Sequence, residues 1–330
     1  MDTKSVLLLC GGGSSEHAVS LVSAGYLNQQ LSSIDGFSVT QVEITPQGWK
    51  MADGSLCELG HDKVLKSSST ELAVDVVVPC IHGFPGETGD LQSFLEMIDM
   101  PYIGCGSEAS KNCFNKITTK LWFDAINIPN TPFVFLSDQS EESYQRAEEA
   151  LASWGSVFVK AACQGSSIGC YKADTPAELT QALNDAFGYS EQVLIEKTLK
   201  PRELEIAAYE IDGEIIVTRP GEVCAPSGTF YTYDEKYSQG SHSTTMLDAE
   251  LAEDQIEKMM SLAKHAFKHM KLRDLSRIDF FVTDDGEMLL NEINTFPGMT
   301  PISMFPKLLE HNGHQMQEFL RQAVVRATTK

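Results

Sequence analysis

The chain has no apolar run of membrane-spanning length, no C-x-x-C pair, no G-x-G-x-x-G and no surplus of positive charge. Each absence removes a class. A bilayer-crossing helix needs about 20 consecutive apolar residues. The balance of 25 Lys and Arg against 46 Asp and Glu gives a net charge of −21, the wrong sign for a phosphate backbone or an anionic membrane surface. ATP stays open as a ligand, because a cation and a few placed lysines neutralise phosphates locally. The eight cysteines are scattered through strand-like apolar runs without ligand spacing, so reduced thiols are expected in place of disulfides or zinc. His265 and His269 lie four apart on an expected helix, but no Glu follows His265 as a metalloprotease pattern requires. These two, with His311 and His314, read as structural or surface residues. The short apolar run Val6–Cys10 runs into glycines, which suits a strand entering a loop better than a signal segment, and a cytoplasmic location is expected.

What is present starts near the C-terminus. Arg277-Ile278-Asp279-Phe280-Phe281 and Asn291-Glu292-Ile293-Asn294 flank an acidic Asp284-Asp285-Gly286-Glu287 turn, the pattern of a β-hairpin. Glu292 and Asn294 are two apart and share a face, and Asp279 falls opposite them on the partner strand. Three oxygen ligands on one face suit a hard cation such as Mg²⁺, which in proteins commonly also holds substrate phosphates. The competing reading is a solvated acidic strand.

Over the 330 residues, long enough for two or three domains, strand and helix patterns alternate. Strands are expected at 5–10, 39–44, 75–81, 157–161, 193–196 and 203–209. Helices are expected at 16–31, 115–126, 141–154, 175–187, 251–270 and 316–327. The fold class is therefore α/β, with a parallel, doubly wound first domain. A boundary is expected around 104–110. Residues 222–246 lack periodicity and read as a long functional loop, expected to close as a lid.

Gly11-Gly12-Gly13-Ser14-Ser15-Glu16 only superficially resembles a dinucleotide fingerprint, because Glu16 stands in the third glycine's place and would repel a pyrophosphate. A carboxylate there suits a substrate ammonium; the alternative is an ordinary first-turn glutamate. Lys160 precedes the small-residue loop Gln164-Gly165-Ser166-Ser167-Ile168-Gly169, whose backbone N–H groups can approach phosphate oxygens, although the order is not that of a Walker loop. Lys116 is a second candidate phosphate lysine. Glu196 and Lys197 end a strand before a proline turn, and Glu203 follows, which suggests a hinge crossing around adenine and ribose.

Taken together, the motifs resemble the D-alanine–D-alanine ligase family of the ATP-grasp superfamily. The matching segments are Gly11–His17, His82-Gly83-Phe84-Pro85-Gly86-Glu87, Asn115-Lys116, Gly165–Gly169, Tyr231–Tyr237, Arg277–Phe281 and Asn291–Thr300. They run in family order across nearly the whole chain. The resemblance implies an ATP-grasp fold with an N-terminal doubly wound (preATP-grasp) domain. Its expected parts are residues 1–104 for substrate, 105–198 as the central small lobe and 199–330 as the C-terminal lobe with the metal and catalytic site. It implies an ADP-forming ligase that joins two D-alanines through an acyl phosphate for peptidoglycan synthesis. ATP and two Mg²⁺ (or Mn²⁺) are implied as cofactors, and a homodimer as the assembly.

The resemblance also implies roles. Asp279, Glu292 and Asn294 would hold the metal ions. Lys116, Lys160 and Lys236 would meet phosphates, with Ser167 in the phosphate loop. Glu196, Lys197 and Glu203 would line the nucleoside pocket. Glu16 would take the ammonium of the first D-alanine, with His82 nearby and Ser166 and Tyr237 linked to it. Arg277 and the Gly298 N–H would face the developing oxyanion, where such donors are typically worth about 3 kcal/mol each. Ser303, with Met304 beside it, would bind the second D-alanine. Tyr237 favours an amine nucleophile over a hydroxy acid. Departures from the family pattern are Asn115 for an aspartate, Thr88 in the Gly-Glu-Asp-Gly segment, Ala161 for a proline, Cys163 for an arginine and Ser276 for an alanine. The alternatives are another dipeptide or D-alanyl-D-lactate ligase, and a nucleotide-binding regulator; the latter is disfavoured because Arg277 and all three metal ligands survive.

Overall fold

Val6-Leu7-Leu8-Leu9-Cys10 is apolar at every position, which a strand tolerates only where both its faces are covered. In the computed structural model, which describes residues 3–224 and 244–329, each of these five side chains is fully buried. They belong to β1 (Lys4–Gly11), followed by α1 (His17–Ser32) and β2 (Phe37–Thr45). Next come β3 (Gly48–Met51), β4 (Leu56–Leu59), β5 (Val64–Ser67), β6 (Glu71–Ala73) and β7 (Val76–Pro79). They form one sheet of order β6-β5-β4-β3-β2-β1-β7. β1 is parallel to β2 and β7, as expected of a doubly wound unit. The β2–β6 half is an antiparallel meander, so the parallel arrangement expected of the first domain holds for β2-β1-β7 and not for β3 to β6. The cause is local: Pro46-Gln47, Asp53-Gly54 and Asp62-Lys63 supply turns too tight for a helical crossover.

The chain continues through α2 (Asp90–Met97), α3 (Ser107–Phe114), α4 (Lys116–Ala125), β8 (Phe133–Leu136) and α5 (Glu141–Trp154). Helix α3 occupies much of the stretch that the sequence suggested as a boundary. β9 (Val157–Ala161), β10 (Cys170–Ala173), α6 (Pro176–Phe187) and β11 (Val193–Lys197) complete a second, antiparallel sheet of order β10-β9-β11-β8. Helix α6 starts with a capping box between Thr175 and Glu178 and has Pro176 in its first turn, all readable from sequence.

The third sheet comprises β12 (Arg202–Ile211), β13 (Glu214–Val217), β14 (Gly221–Cys224), β15 (Thr244–Met246), β16 (Leu275–Val282) and β17 (Met288–Asn294). Its order is β15-β14-β12-β16-β17, with β13 beside β12. Helices α7 (Glu253–His269), α8 (Met304–His311) and α9 (Met316–Thr328) pack around it. β14 and β15 correct the expected loop 222–246. Glu222 pairs with Met246 and Cys224 with Thr244, so the ends of that stretch form an antiparallel ribbon. Strands this short carry no readable period. Residues 225–243 lie outside the described residues.

Alternation along β1 divides the first core. Val6, Leu8 and Cys10 join α1 to Tyr209, Phe305 and Phe319 of the C-terminal part, while Leu7 and Leu9 face Leu91 and Leu95 of α2. One apolar cluster therefore ties the first sheet to the third and fixes the loop after β1 against the hairpin. The four histidines are structural or surface residues: His265 reaches the Ile126 carbonyl and lies against the exposed His269, the exposed His311 meets Asp248, and His314 meets the Tyr209 hydroxyl.

Candidate active site

The hairpin forms as its pattern required. In the β16–β17 ladder Asp279 faces Glu292 and Arg277 faces Asn294, with a bulge after Asp279. Arg277 donates from Nε and Nη2 to the two oxygens of Asp279 (2.8 and 2.7 Å), and its Nε lies 3.2 Å from Glu205 Oε2 on β12. Asn294 Nδ2 also donates to Asp279 Oδ2 (3.1 Å). Burial alone would lower the Arg277 pKa, but Asp279 and then Glu205 drive it far above the ordinary value. Three carboxylates and one guanidinium leave this face net negative. Its oxygen-rich, largely buried donor set fits a hard divalent cation.

Glu16 lies at the start of α1 and is 8 % exposed. Ser166 donates from Oγ to Glu16 Oε1 at 2.5 Å, across 150 residues of sequence. Ser166 and Ser167 both adopt positive φ (52° and 61°), a strained choice for residues other than glycine. Gly165 allows the approach, since a Cβ there would lie 2.9 Å from Glu16 Oε2. Beside them His82 is 4 % exposed. Its Nδ1–H donates to the Phe296 carbonyl (3.2 Å), and Nε2 accepts from the Ser23 hydroxyl (2.9 Å), which in turn accepts the Met299 N–H (3.2 Å). Burial lowers the imidazole pKa below its ordinary value, keeping the ring neutral. Glu87, whose carboxyl accepts the Gly83 N–H at 2.8 Å, is pushed up to about 8, first by burial and then by the Glu16 charge.

The lysines come from α4 and β9. Asn115 caps α4, accepting from the N–H groups of Ile117 and Thr118 (3.0 and 3.1 Å), so its replacement of an aspartate keeps the cap. Lys116 donates to the Gln164 carbonyl of the small-residue loop. One turn later Lys120, which the sequence reading passed over, is 2 % exposed and pairs with Glu196 Oε1 at 2.5 Å. Lys160 pairs with the other oxygen, Oε2. Burial alone would raise the Glu196 pKa, but Lys160 and Lys120 hold it down at about 2. Lys197 is exposed at the end of β11, and Glu203 is half-buried at the start of β12 between Val223 and Phe281. Ser167 is exposed at the tip of its loop.

Gly298 lies close enough to α8 that a Cβ would meet Ser303 Oγ at 3.0 Å. Ser303 caps α8 by position, and its Oγ accepts the Thr300 N–H (3.1 Å), leaving the helix N-terminus facing the site. A cavity of about 890 Å³ opens among these parts. Of the residues singled out from sequence, Glu16, His82, Lys116, Ser166, Arg277, Glu292, Asn294, Gly298, Ser303 and Met304 line it. Asp279 lies immediately behind Arg277, whereas Lys160, Glu196 and Lys197 lie on β9 and β11 of the second sheet, Ser167 on the loop after β9, and Glu203 on β12 of the third sheet. Lys236 and Tyr237 lie outside the described residues. Sequence reasoning missed Lys120, Glu87, Glu205 and Ser23. The spacing of Lys120 four residues after Lys116, and of Glu205 two after Glu203, was the available signal.

Family models described as the D-ala D-ala ligase N-terminus and C-terminus match residues 5–105 and 122–325. The chain is 61 % identical over 325 residues to a D-alanine–D-alanine ligase of Aliivibrio fischeri, covering 98 % of each. Its structure superposes on D-alanyl-alanine synthetase A of Vibrio cholerae with a TM-score of 0.96 at 55 % identity, covering 100 % of both chains. It is also similar to the VanG D-Ala:D-Ser ligase of Enterococcus faecalis, with a TM-score of 0.87 at 25 % identity over 99 % of this chain and 100 % of that one.

Proposed function

Because the chain belongs to the D-alanine–D-alanine ligase family, we infer that it uses ATP to join two D-alanines into D-alanyl-D-alanine for peptidoglycan synthesis. The observation that carries this is the convergence, on one cavity, of Glu16, Arg277, Glu292, Asn294 and Ser303 from distant parts of the sequence.

The chemistry must bring a carboxylate to a polyanionic triphosphate and then an amine to the activated carbonyl, so charge neutralisation and alignment are the main tasks. Glu16, oriented by Ser166, takes the ammonium of the first D-alanine. Neutral His82 lies beside it without adding a competing positive charge. Lys116, Lys160 and Lys236 meet the phosphates, with Ser167 of the small-residue loop beside them. Glu196, Lys197 and Glu203 belong to the nucleoside side. Asp279, Glu292 and Asn294 would hold two Mg²⁺ (or Mn²⁺), whose chemistry is to neutralise phosphate oxygens and fix their orientation. Arg277 is already aimed by its two bonds to Asp279. With the Gly298 N–H it stabilises the oxyanion that forms as the second amine attacks. Ser303 and the N-terminus of α8 hold the carboxylate of the second D-alanine, beside Met304. Tyr237 is the further partner that the family resemblance implies for Glu16. The three sheets correspond to substrate, small-lobe and catalytic units, and the assembly is a cytoplasmic homodimer.

The test is ADP release from ATP and Mg²⁺ with D-alanine and with L-alanine, together with the product mass. Turnover that depends on D-alanine, yields the dipeptide and stops with EDTA is expected. A protein that binds ATP without D-alanine-dependent turnover would overturn the reading.

A further inference from the structure

Lys120 has the environment of a residue selected for something other than packing. Its ammonium forms an ion pair with Glu196 Oε1 (2.5 Å) and donates to Asn130 Oδ1 (3.2 Å) and to the Thr131 carbonyl (3.1 Å). The ammonium also lies 5.3 Å from the centre of the Phe133 ring. It is 2 % exposed, so a ligand in the cavity does not reach it. Lys160 is its opposite. Its side chain is 16 % exposed, and among the described residues its only ion pair is to the second oxygen of Glu196. One carboxylate therefore carries two ammonium groups, one fixed and one with donors to spare. A buried lysine costs several kcal/mol to desolvate, and an apolar residue of similar volume would pack as well. The second cation has a consequence for charge: without it, Glu196 and Lys160 form a neutral pair; with it, the cluster is net positive next to the loop expected to hold phosphate.

We propose that Lys120 is a positioning residue for the nucleotide: its ion pair balances the charge of Glu196, so that Glu196 can orient Lys160 without cancelling its charge toward the phosphates. This rests on the reading above that Lys160 meets phosphate. Lys120 does not itself touch the ligand.

The full chain is assayed by calorimetric titration with Mg-ATP and with adenosine, the second reporting the nucleoside pocket alone. Lys120→Met is expected to weaken Mg-ATP about tenfold while leaving adenosine unchanged, because it removes one unit of nearby charge. Because Glu196 belongs to the nucleoside side, the double variant is read as the ratio of Mg-ATP to adenosine affinity: Lys120→Met combined with Glu196→Gln returns the net positive charge to Lys160 and is expected to restore most of that ratio. A merely structural lysine predicts the reverse: equal losses for both ligands, or a double variant no better than the single one. Either result overturns the proposal. Lys160→Met separates the two levels of inference. If it leaves ATP affinity intact, the phosphate role of Lys160 fails; if it weakens ATP selectively while Lys120→Met does not, only the positioning role of Lys120 fails. Should Lys120→Met not fold, the double variant alone decides. A ratio of Mg-ATP to adenosine affinity near that of the unaltered protein supports the proposal, and a selective loss of ATP refutes it.

Discussion

Replacing Ser166 by alanine removes one hydrogen bond and almost nothing else. The Cβ remains, so the strain of its positive φ (52°) is the same in both proteins. What goes is the 2.5 Å donation to Glu16, a carboxylate that is 8 % exposed and so little screened by solvent. Hydrogen bonds to charged groups contribute about 1.5–3 kcal/mol. At about 1.4 kcal/mol per factor of ten, kcat/KM for D-alanine should fall by about 10- to 100-fold. The assay is ADP release at saturating ATP with varied D-alanine, alongside calorimetric ATP binding without D-alanine, which should be unchanged. A double-mutant cycle with Glu16→Gln isolates the contact and should give a coupling energy of about 1.5–3 kcal/mol. A fall below about threefold, or additivity in the cycle, would show that the loop is not anchored through Glu16 and refute the reasoning.

Two further outcomes follow from buried polar groups. The Glu87 carboxyl is raised from its ordinary 4.5 to about 8, so the folded state holds a proton that the unfolded state releases across that window. Its stabilising contribution is complete below 4.5 and lost as the pH rises towards about 8. Glu87→Gln should therefore flatten the decline of Tm between those limits; parallel Tm curves for the two proteins would contradict this. Ser276 is fully buried, and its hydroxyl has no hydrogen-bond partner among the described residues. Ser276→Ala should leave stability unchanged or raise it by about 1 kcal/mol in chemical denaturation, whereas a loss of that size would reveal a hidden partner.

Hydrophobic period and turn chemistry made much of the molecule readable in advance. The five-residue apolar run read as a strand entering a loop, the Asp-Gly turn between apolar runs as a hairpin, and Thr175-Pro176 as a helix start, and each formed. The meander of β3 to β6 went unread although its turns were visible, because four-residue strands on a half-exposed face carry too few positions to show a period. The β14–β15 ribbon went unread for the same reason.

The sequence by itself determined the hairpin and the placing of Asp279 against Glu292 and Asn294, because strand alternation and ladder register are local geometry. It also carried, through the order of its motifs, the family to which the chain belongs. The link from Ser166 to Glu16, implied by the resemblance, took its geometry from the tertiary structure, and only that structure decided that burial, with Glu16 beside it, would leave Glu87 holding a proton and that Lys120 would share Glu196 with Lys160. Those pairings depend on where three sheets meet, and the meeting is set by an apolar core that joins β1 and α1 to α8 and α9. A charged residue's own neighbours in sequence do not reveal which distant charge burial will bring against it, and it is that pairing, through desolvation and Coulomb attraction, that fixes its protonation and its use.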